Sequence, residues 1–231
     1  MEQLLRDGLH SLGLPTEGVP ALLRYAGLLV EKNKVMNLTA ITEPADIATL
    51  HFLDSAALLT LTDFRNKTVA DVGTGAGFPG MPLRILEPSI HLTLLDSLNK
   101  RIDFLKEVCQ ELGIDDAECV HARAEEFAAE HRSSFDIVTS RAVANLQLLS
   151  ELCLPLVKQG GYFLSMKSVD SDAELASARH AIELLGGVVE RTEDYSIPGT
   201  EVRHRLIFIQ KVRETPKKYP RAFAKIKKNP L

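Results

Sequence analysis

The sequence predicts an α/β fold: a mostly parallel sheet with helices on both faces, closed by a C-terminal antiparallel hairpin and preceded by a small helical region. Three observations predict it. Short apolar runs alternate with longer stretches of helical period from residue 68 to residue 186, as parallel strands joined by crossover helices require. A glycine turn, Gly73-Thr-Gly-Ala-Gly77, follows the first apolar run, where an open parallel sheet binds its ligands. The last two strand-like runs, 188–195 and 203–212, have only Ser196-Ile-Pro-Gly-Thr200 between them, too little for a crossover helix.

In chain order, residues 1–64 read as helical. Leu22, Tyr25, Ala26, Leu28 and Leu29 recur at helical spacing, as do Ile47, Leu50, His51, Ala57 and Leu58. Between these runs, Lys34-Val-Met-Asn-Leu-Thr39 forms a polar–apolar bend, and Thr42 with Pro44 marks a new helix start. Arg65-Asn-Lys67 joins this region to a second unit spanning 65–212. There, strands are expected at 68–72, 91–95, 117–121, 135–139 and 160–166, and helices at 79–86, 98–112, 145–157 and 171–186. Pro79 suits a first helical turn, where its missing donor has no partner to lose. A basic tail, 213–231, completes the chain.

A chain of 231 residues that is 45% hydrophobic can build one sizeable core with an accessory element. The net charge of −4 is divided unevenly: the last 21 residues carry +7 and the first 210 carry −11. A basic tail on an acidic body either meets a polyanionic partner or is simply a solvated segment. Cys109, Cys119 and Cys153 have no metal-like spacing and apolar neighbours, which fits buried, reduced thiols. No metal site is expected. The first residues contain early acids and no long apolar stretch, and nothing approaches a membrane-spanning length. These features describe a soluble, cytoplasmic protein with no membrane partner.

The strand ends carry the chemistry. Asp71 precedes the glycine turn, where Gly73, Gly75 and Gly77 allow a ligand to approach the backbone closely and Phe78 follows. Asp96, in Leu94-Leu-Asp-Ser97-Leu98, lies 19 residues beyond Gly77, where a carboxylate accepts from both ribose hydroxyls. Ala122-Arg123-Ala124-Glu125-Glu126 can edge an adenine ring and accept from its amino group. The fourth strand ends in Thr139, Ser140, Arg141 and Ala142. Gly75-Ala-Gly-Phe-Pro-Gly80 fits the spacing of a dinucleotide loop, but the carboxylate of Asp71 repels phosphates. It suits the ammonium and sulfonium of S-adenosylmethionine, so a methyl donor is the favoured cofactor.

The run from Asp71 to Leu83, Asp-Val-Gly-Thr-Gly-Ala-Gly-Phe-Pro-Gly-Met-Pro-Leu, with Leu94-Leu-Asp-Ser-Leu-Asn-Lys-Arg101, resembles the ribosomal RNA small subunit methyltransferase G family, also called glucose-inhibited division protein B. Asn37-Leu-Thr39, His51-Phe-Leu-Asp-Ser55, Ser140-Arg-Ala142, Met166-Lys167 and the tail Thr215-Pro-Lys-Lys-Tyr-Pro-Arg221 are similar to segments of that family. One departure is Ser168, where the family usually has glycine. The resemblance covers nearly the whole chain. It implies a Rossmann-like class I methyltransferase fold and methylation of guanine N7 in 16S rRNA, with cofactor contacts at Gly73, Phe78, Asp96, Ala124, Glu125 and Arg141.

That chemistry fits the fourth strand end, which has none of the Asn/Asp-Pro-Pro-aromatic residues of amino-directed methyltransferases and no Pro-Cys nucleophile. Guanine N7 presents an in-plane lone pair, so positioning suffices and no general base is assigned. Arg123, Arg141 and Lys167 are candidate donors to the guanine O6; each can equally be a surface charge or an ion-pair partner. His51 either orients RNA or sits satisfied between helix and sheet. Lys217, Lys218 and Arg221 are candidate phosphate contacts, with Tyr219 and Phe223 able to stack on bases. The expected partner is small-subunit rRNA or a 30S assembly particle, and the expected state a monomer. Rival functions are a small-molecule methyltransferase on this fold, an RNA-binding module with a regulatory cofactor pocket, and, more distantly, a nicotinamide oxidoreductase.

Overall fold

A computed structural model describes residues 1–141 and 144–231; Ala142 therefore lies outside the described residues. Helix α1 (Glu2–Ser11) and the long α2 (Val19–Met36) come first. Asn37 ends α2 in a left-handed conformation, φ 48°, one that asparagine tolerates better than most residues. A single turn, α3 (Pro44–Asp46), runs into a π-helical stretch, Ile47–Leu53, and then α4 (Asp54–Leu61).

The sheet unit follows as β1 (Thr68–Val72), α5 (Gly80–Leu86), β2 (His91–Asp96), α6 (Asn99–Leu112), β3 (Glu118–His121) and α7 (Ala124–Glu130). It continues with β4 (Phe135–Arg141), α8 (Leu146–Cys153), a 3-10 turn (Leu154–Leu156), β5 (Val157–Ser168) and α9 (Asp172–Leu184). The last strands are β6 (Gly187–Ser196) and β7 (Arg203–Lys211), and α10 (Phe223–Lys228) ends the chain.

The seven strands pair in the order β3-β2-β1-β4-β5-β7-β6. The first five are parallel, and β7 lies antiparallel between β5 and β6. This is the mostly parallel sheet with an antiparallel C-terminal hairpin that the sequence predicts. The order reverses between β1 and β4, and the crevice beyond their carboxyl ends is the ligand position in such sheets.

Side chains alternate across the sheet as the two-residue strand period demands. Val69, Leu94, Leu164 and Phe208 pack on one face with Leu9, Leu22, Tyr25 and Phe52 of the N-terminal helices. Ala70, Leu95, Phe163 and Ile207 face the other layer, with Phe127, Leu149, Ile182 and Ile226. Residues 1–64 thus share a core with the sheet, and Arg24–Glu111 and Lys32–Glu107 ion pairs tie α2 to α6 at the rim.

Three local features differ from the expectations. Helix α7 follows β3 directly; it buries only Phe127 and Ala128, too few residues to set up a helical period. The helix expected over 145–157 stops at Cys153, because Pro155 cannot continue it, and β5 starts early, at Val157. Ser168, beyond the end of the strand expected over 160–166, continues the ladder opposite His204. The tail also packs against the body, and it begins from a buried cation. Lys211 is 1% exposed and donates to Leu154 O and to Thr215 Oγ1; burial pushes its ammonium down to about 8.

Candidate active site

A cavity of about 490 Å³ opens at the carboxyl ends of β1 to β4. Its floor is the glycine turn. Gly73 and Thr74 N–H both donate to Leu95 O of β2, at 2.8 and 3.1 Å, while Gly77 and Phe78 N–H donate to Thr74 O. The turn is therefore held by its own amides rather than offering them as an open anion nest. At Gly75 the backbone has φ +61° and, its two chain neighbours aside, no atom of the described residues lies within 4 Å of where a Cβ would stand. That open space is part of the cavity wall.

Asp96 ends β2 at 4% exposure and organises the middle of the site. Its Oδ2 accepts from Gly75 N at 3.0 Å and from Arg101 at 3.1 Å, and its Oδ1 accepts from Leu98 N at 2.9 Å. A carboxylate has about four acceptor positions, so one remains for a ligand hydroxyl. Beyond it, at the β3 end, Ser97, Ala122, Arg123, Ala124, Glu125 and Phe223 line the wall.

The opposite end is aromatic and cationic. Phe78 stacks on His51 at 4.2 Å between ring centroids and on Tyr25 at 5.6 Å, and the Arg141 guanidinium lies 5.1 Å above its ring. Tyr25, from α2, donates its hydroxyl to Ala76 O of the glycine turn. Arg141 donates to Leu50 O at 2.8 Å, to Asp54 Oδ2 at 3.0 Å and to His51 Nδ1 at 2.8 Å. Because an arginine only donates, His51 carries its proton on Nε2 and gives it to Thr39 Oγ1 at 2.9 Å. Burial, and then the Arg141 charge, hold His51 down to about 3, so it is a neutral imidazole with both nitrogens engaged.

Asp54, 0% exposed, also accepts from the Tyr195 hydroxyl and from His204 Nδ1, both at 2.8 Å. Burial pushes its carboxyl up, but His204, Arg141 and Tyr195 together draw it below the ordinary range. Nothing in the sequence reading gave Asp54 a role. Its signal was a lone acid inside an apolar helical run. Arg101, which closes the Leu94–Arg101 segment, is the ion-pair partner of Asp96.

Of the residues singled out from sequence, Gly73, Gly75, Phe78, Asp96, Ser97, Ala124, Glu125, Arg141, His51 and Arg123 come together on the cavity wall. Four others do not. Asp71 lies beneath the turn at 0% exposure, its Oδ2 accepting from Thr74 Oγ1 at 2.7 Å and Gly80 N at 2.9 Å; it shapes the loop from below. Gly77 faces inward, where a Cβ would collide with the Tyr25 hydroxyl. Leu98 contributes its amide to Asp96 but leaves its side chain 43% exposed. Lys167 is turned away, donating to Ala144 O and Glu174 Oε1 at 2.7 Å each. In the tail, Arg221 is paired with Glu151 and Tyr219 is buried, so neither presents itself to a base or a phosphate; Lys217 and Lys218 are exposed.

The donor set fits a cationic cofactor bearing a ribose. Asp71 Oδ1 is buried with no partner among the described residues, and burial pushes this carboxyl up to about 6, so a phosphate placed above it would raise its energy further. A cation would lower it.

Comparison with known proteins gives a consistent result. The family described as rRNA small subunit methyltransferase G matches residues 19–204. A ribosomal RNA small subunit methyltransferase G from Alkaliphilus metalliredigens is 45% identical over 235 aligned residues, covering 100% of this chain and 98% of its own. One from Lachnoclostridium phytofermentans is 48% identical, with 97% and 95% covered. Among solved structures, a SAM-dependent methyltransferase from Aquifex aeolicus has a TM-score of 0.55 at 16% identity, over 75% of this chain and 96% of that one. TYW2 from M. jannaschii, solved in complex with AdoMet, also scores 0.55, at 13% identity over 68% and 74%. These two likenesses concern the fold alone.

Proposed function

This chain belongs to the rRNA small subunit methyltransferase G family, and from that premise we infer that it methylates N7 of a guanine in 16S rRNA with S-adenosylmethionine as donor. The observation that carries the reading is the single cavity wall on which Asp96, Glu125, Phe78 and Arg141 meet. When bound, the cofactor supplies an electrophilic methyl group on a sulfonium.

The residues divide the work along the cavity. Asp96 has one acceptor position left for a ribose hydroxyl, and Glu125 faces the adenine edge beside Ala124. Gly75 supplies the space for close approach. At the other end, Phe78 and His51 form an apolar, rigid stack, and Arg141 sits over it with three of its N–H groups committed to Leu50, Asp54 and His51. Its remaining N–H groups, without a partner among the described residues, can donate to the guanine O6. Such a contact aligns N7 with the methyl. No residue needs to accept a proton, which agrees with a His51 whose two nitrogens are both engaged.

The RNA reaches this rim past Arg123 and the exposed Lys217 and Lys218. The protein acts as a monomer in the cytoplasm, on rRNA either free or within an assembling 30S particle; no helix among the described residues is long and apolar enough to cross a membrane. The test is transfer of labelled methyl to small-subunit rRNA from cells lacking the enzyme, mapped by strand scission at the modified guanine. Asp96→Ala should remove both cofactor binding and transfer. A lack of transfer to naked rRNA, 30S subunits and assembly intermediates alike would overturn the reading.

A further inference from the structure

The tail, which the sequence presents as a loose basic arm, is fastened to the body by a buried ion pair. Glu151, on α8, is 0% exposed. Its carboxylate accepts from Arg221 N and Arg221 Nε, both at 2.8 Å, and from Arg221 Nη2 at 2.6 Å. A carboxylate that deep is strongly disfavoured without a partner, so the pair fixes the tail to one place. Arg132 adds donations to the backbone carbonyls of Thr215 and Tyr219. Tyr219, 6% exposed, and Ile226, 0% exposed, plug the same apolar layer on either side of the anchor.

Two residues beyond Arg221, the anchored segment brings Phe223 into the cavity wall at its β3 end. The placement is specific. The Phe223 amide donates to Glu125 Oε1 at 3.3 Å, and the Arg123 guanidinium lies 5.9 Å from the centre of its ring. The backbone of the tail thereby holds one oxygen of Glu125 and leaves the other for a ligand. Ala122, Ala124, Leu149 and Leu152 line the same cavity and belong with Phe223 to one apolar layer, which gives this end of the cavity an apolar slot.

Resting on the cofactor reading above, we propose that Phe223 is part of the cofactor site, an aromatic wall against the adenine ring that the Glu151–Arg221 anchor delivers from the tail. Every base presents a flat face to an aromatic ring whatever its substituents, and the slot offers the adenine a ring wall and a carboxylate at its edge. On this proposal the tail serves the methyl donor first, and only its exposed lysines remain for RNA.

Calorimetry of the full-length protein with S-adenosylhomocysteine, in the absence of RNA, tests it. Removing a stacking ring should weaken binding about tenfold in Phe223→Ala. Phe223→Tyr should restore affinity to within about twofold, since it keeps the ring. The loss should be the same with 5′-methylthioadenosine, which lacks the amino-acid end, and it should appear in turnover as a raised KM for the donor with kcat retained at saturation. Equal affinity of Phe223→Ala and the unaltered chain, with matching thermal midpoints, overturns the proposal. So does a loss that Phe223→Tyr fails to restore. An unaltered chain that binds neither ligand overturns the cofactor reading itself.

Discussion

Arg141 and Asp54, 87 residues apart in sequence, meet in a 3.0 Å ion pair behind the cavity wall, and the same carboxylate also receives Tyr195 and His204. One buried acid thus ties the end of β4 to the N-terminal helices and to the C-terminal hairpin.

Replacing Asp54 with alanine leaves the guanidinium and two further donors without their acceptor. Breaking one side of a buried pair costs about 3–5 kcal/mol, so urea titration should show a loss of that size and transfer should fall with it. The pH dependence has a definite sign. The folded carboxyl lies below its unfolded range, so its contribution is full above the ordinary carboxylate range of about 4 and is lost as pH falls through the folded value. Asp54→Ala should therefore differ most from the unaltered protein near neutrality and converge with it in acid.

Asp71 should behave in the opposite way. Burial raises its carboxyl to about 6, with the Thr74 and Gly80 hydrogen bonds pulling back. A folded value above the unfolded one contributes stability in acid that disappears as pH rises through about 6. Measured without cofactor, the stability of Asp71→Asn relative to the unaltered chain should improve by roughly 2 kcal/mol between pH 4 and pH 7. A flat difference across that range would mean the carboxylate is already compensated.

Gly75 and Gly77 should separate binding from folding. At Gly75→Ala the new methyl enters open space, so stability should drop only about 1 kcal/mol, the cost of the left-handed backbone, while cofactor affinity falls at least tenfold. At Gly77→Ala the methyl meets the Tyr25 hydroxyl, Leu105 and Met81, and a loss of 2 kcal/mol or more is expected, within the range for overpacking about 1–3 kcal/mol. Thermal melts beside cofactor titrations would distinguish the two.

Lys217 and Lys218 stay exposed beside the anchored segment. If each meets a phosphate of single-stranded rRNA, the double change to alanine should reduce the slope of log affinity against log salt by about 1.4, at about 0.7 per contact. Affinity for S-adenosylhomocysteine should not change. Filter binding at several salt concentrations measures the slope.

The sheet and the cavity floor were legible because they are local. Short β-rich runs, glycines at fixed spacing and an acid at the end of each early strand all fall within a few residues of each other. The inward layer was not. Asp71 and Gly77 sit in the motif that pointed to the cofactor, yet the pleat and the turn direct them into the protein, which spacing alone does not reveal. The packing of the tail was hidden for a related reason. Its composition is that of a solvated arm, and the residue that holds it, Glu151, looks like any helix-surface acid until a partner 70 residues away covers it.

The π-helical stretch from Ile47 to Leu53 accommodates a wider coil where ordinary winding would take one residue fewer. Deleting a single position there would let the tighter spiral resume with the flanking turns still in place. His51 would lose the offset that the wider coil gives it, and with it its seat against Phe78, while Asp54, beyond the stretch, would keep its facing. The damage should therefore fall on the cavity wall rather than on the fold.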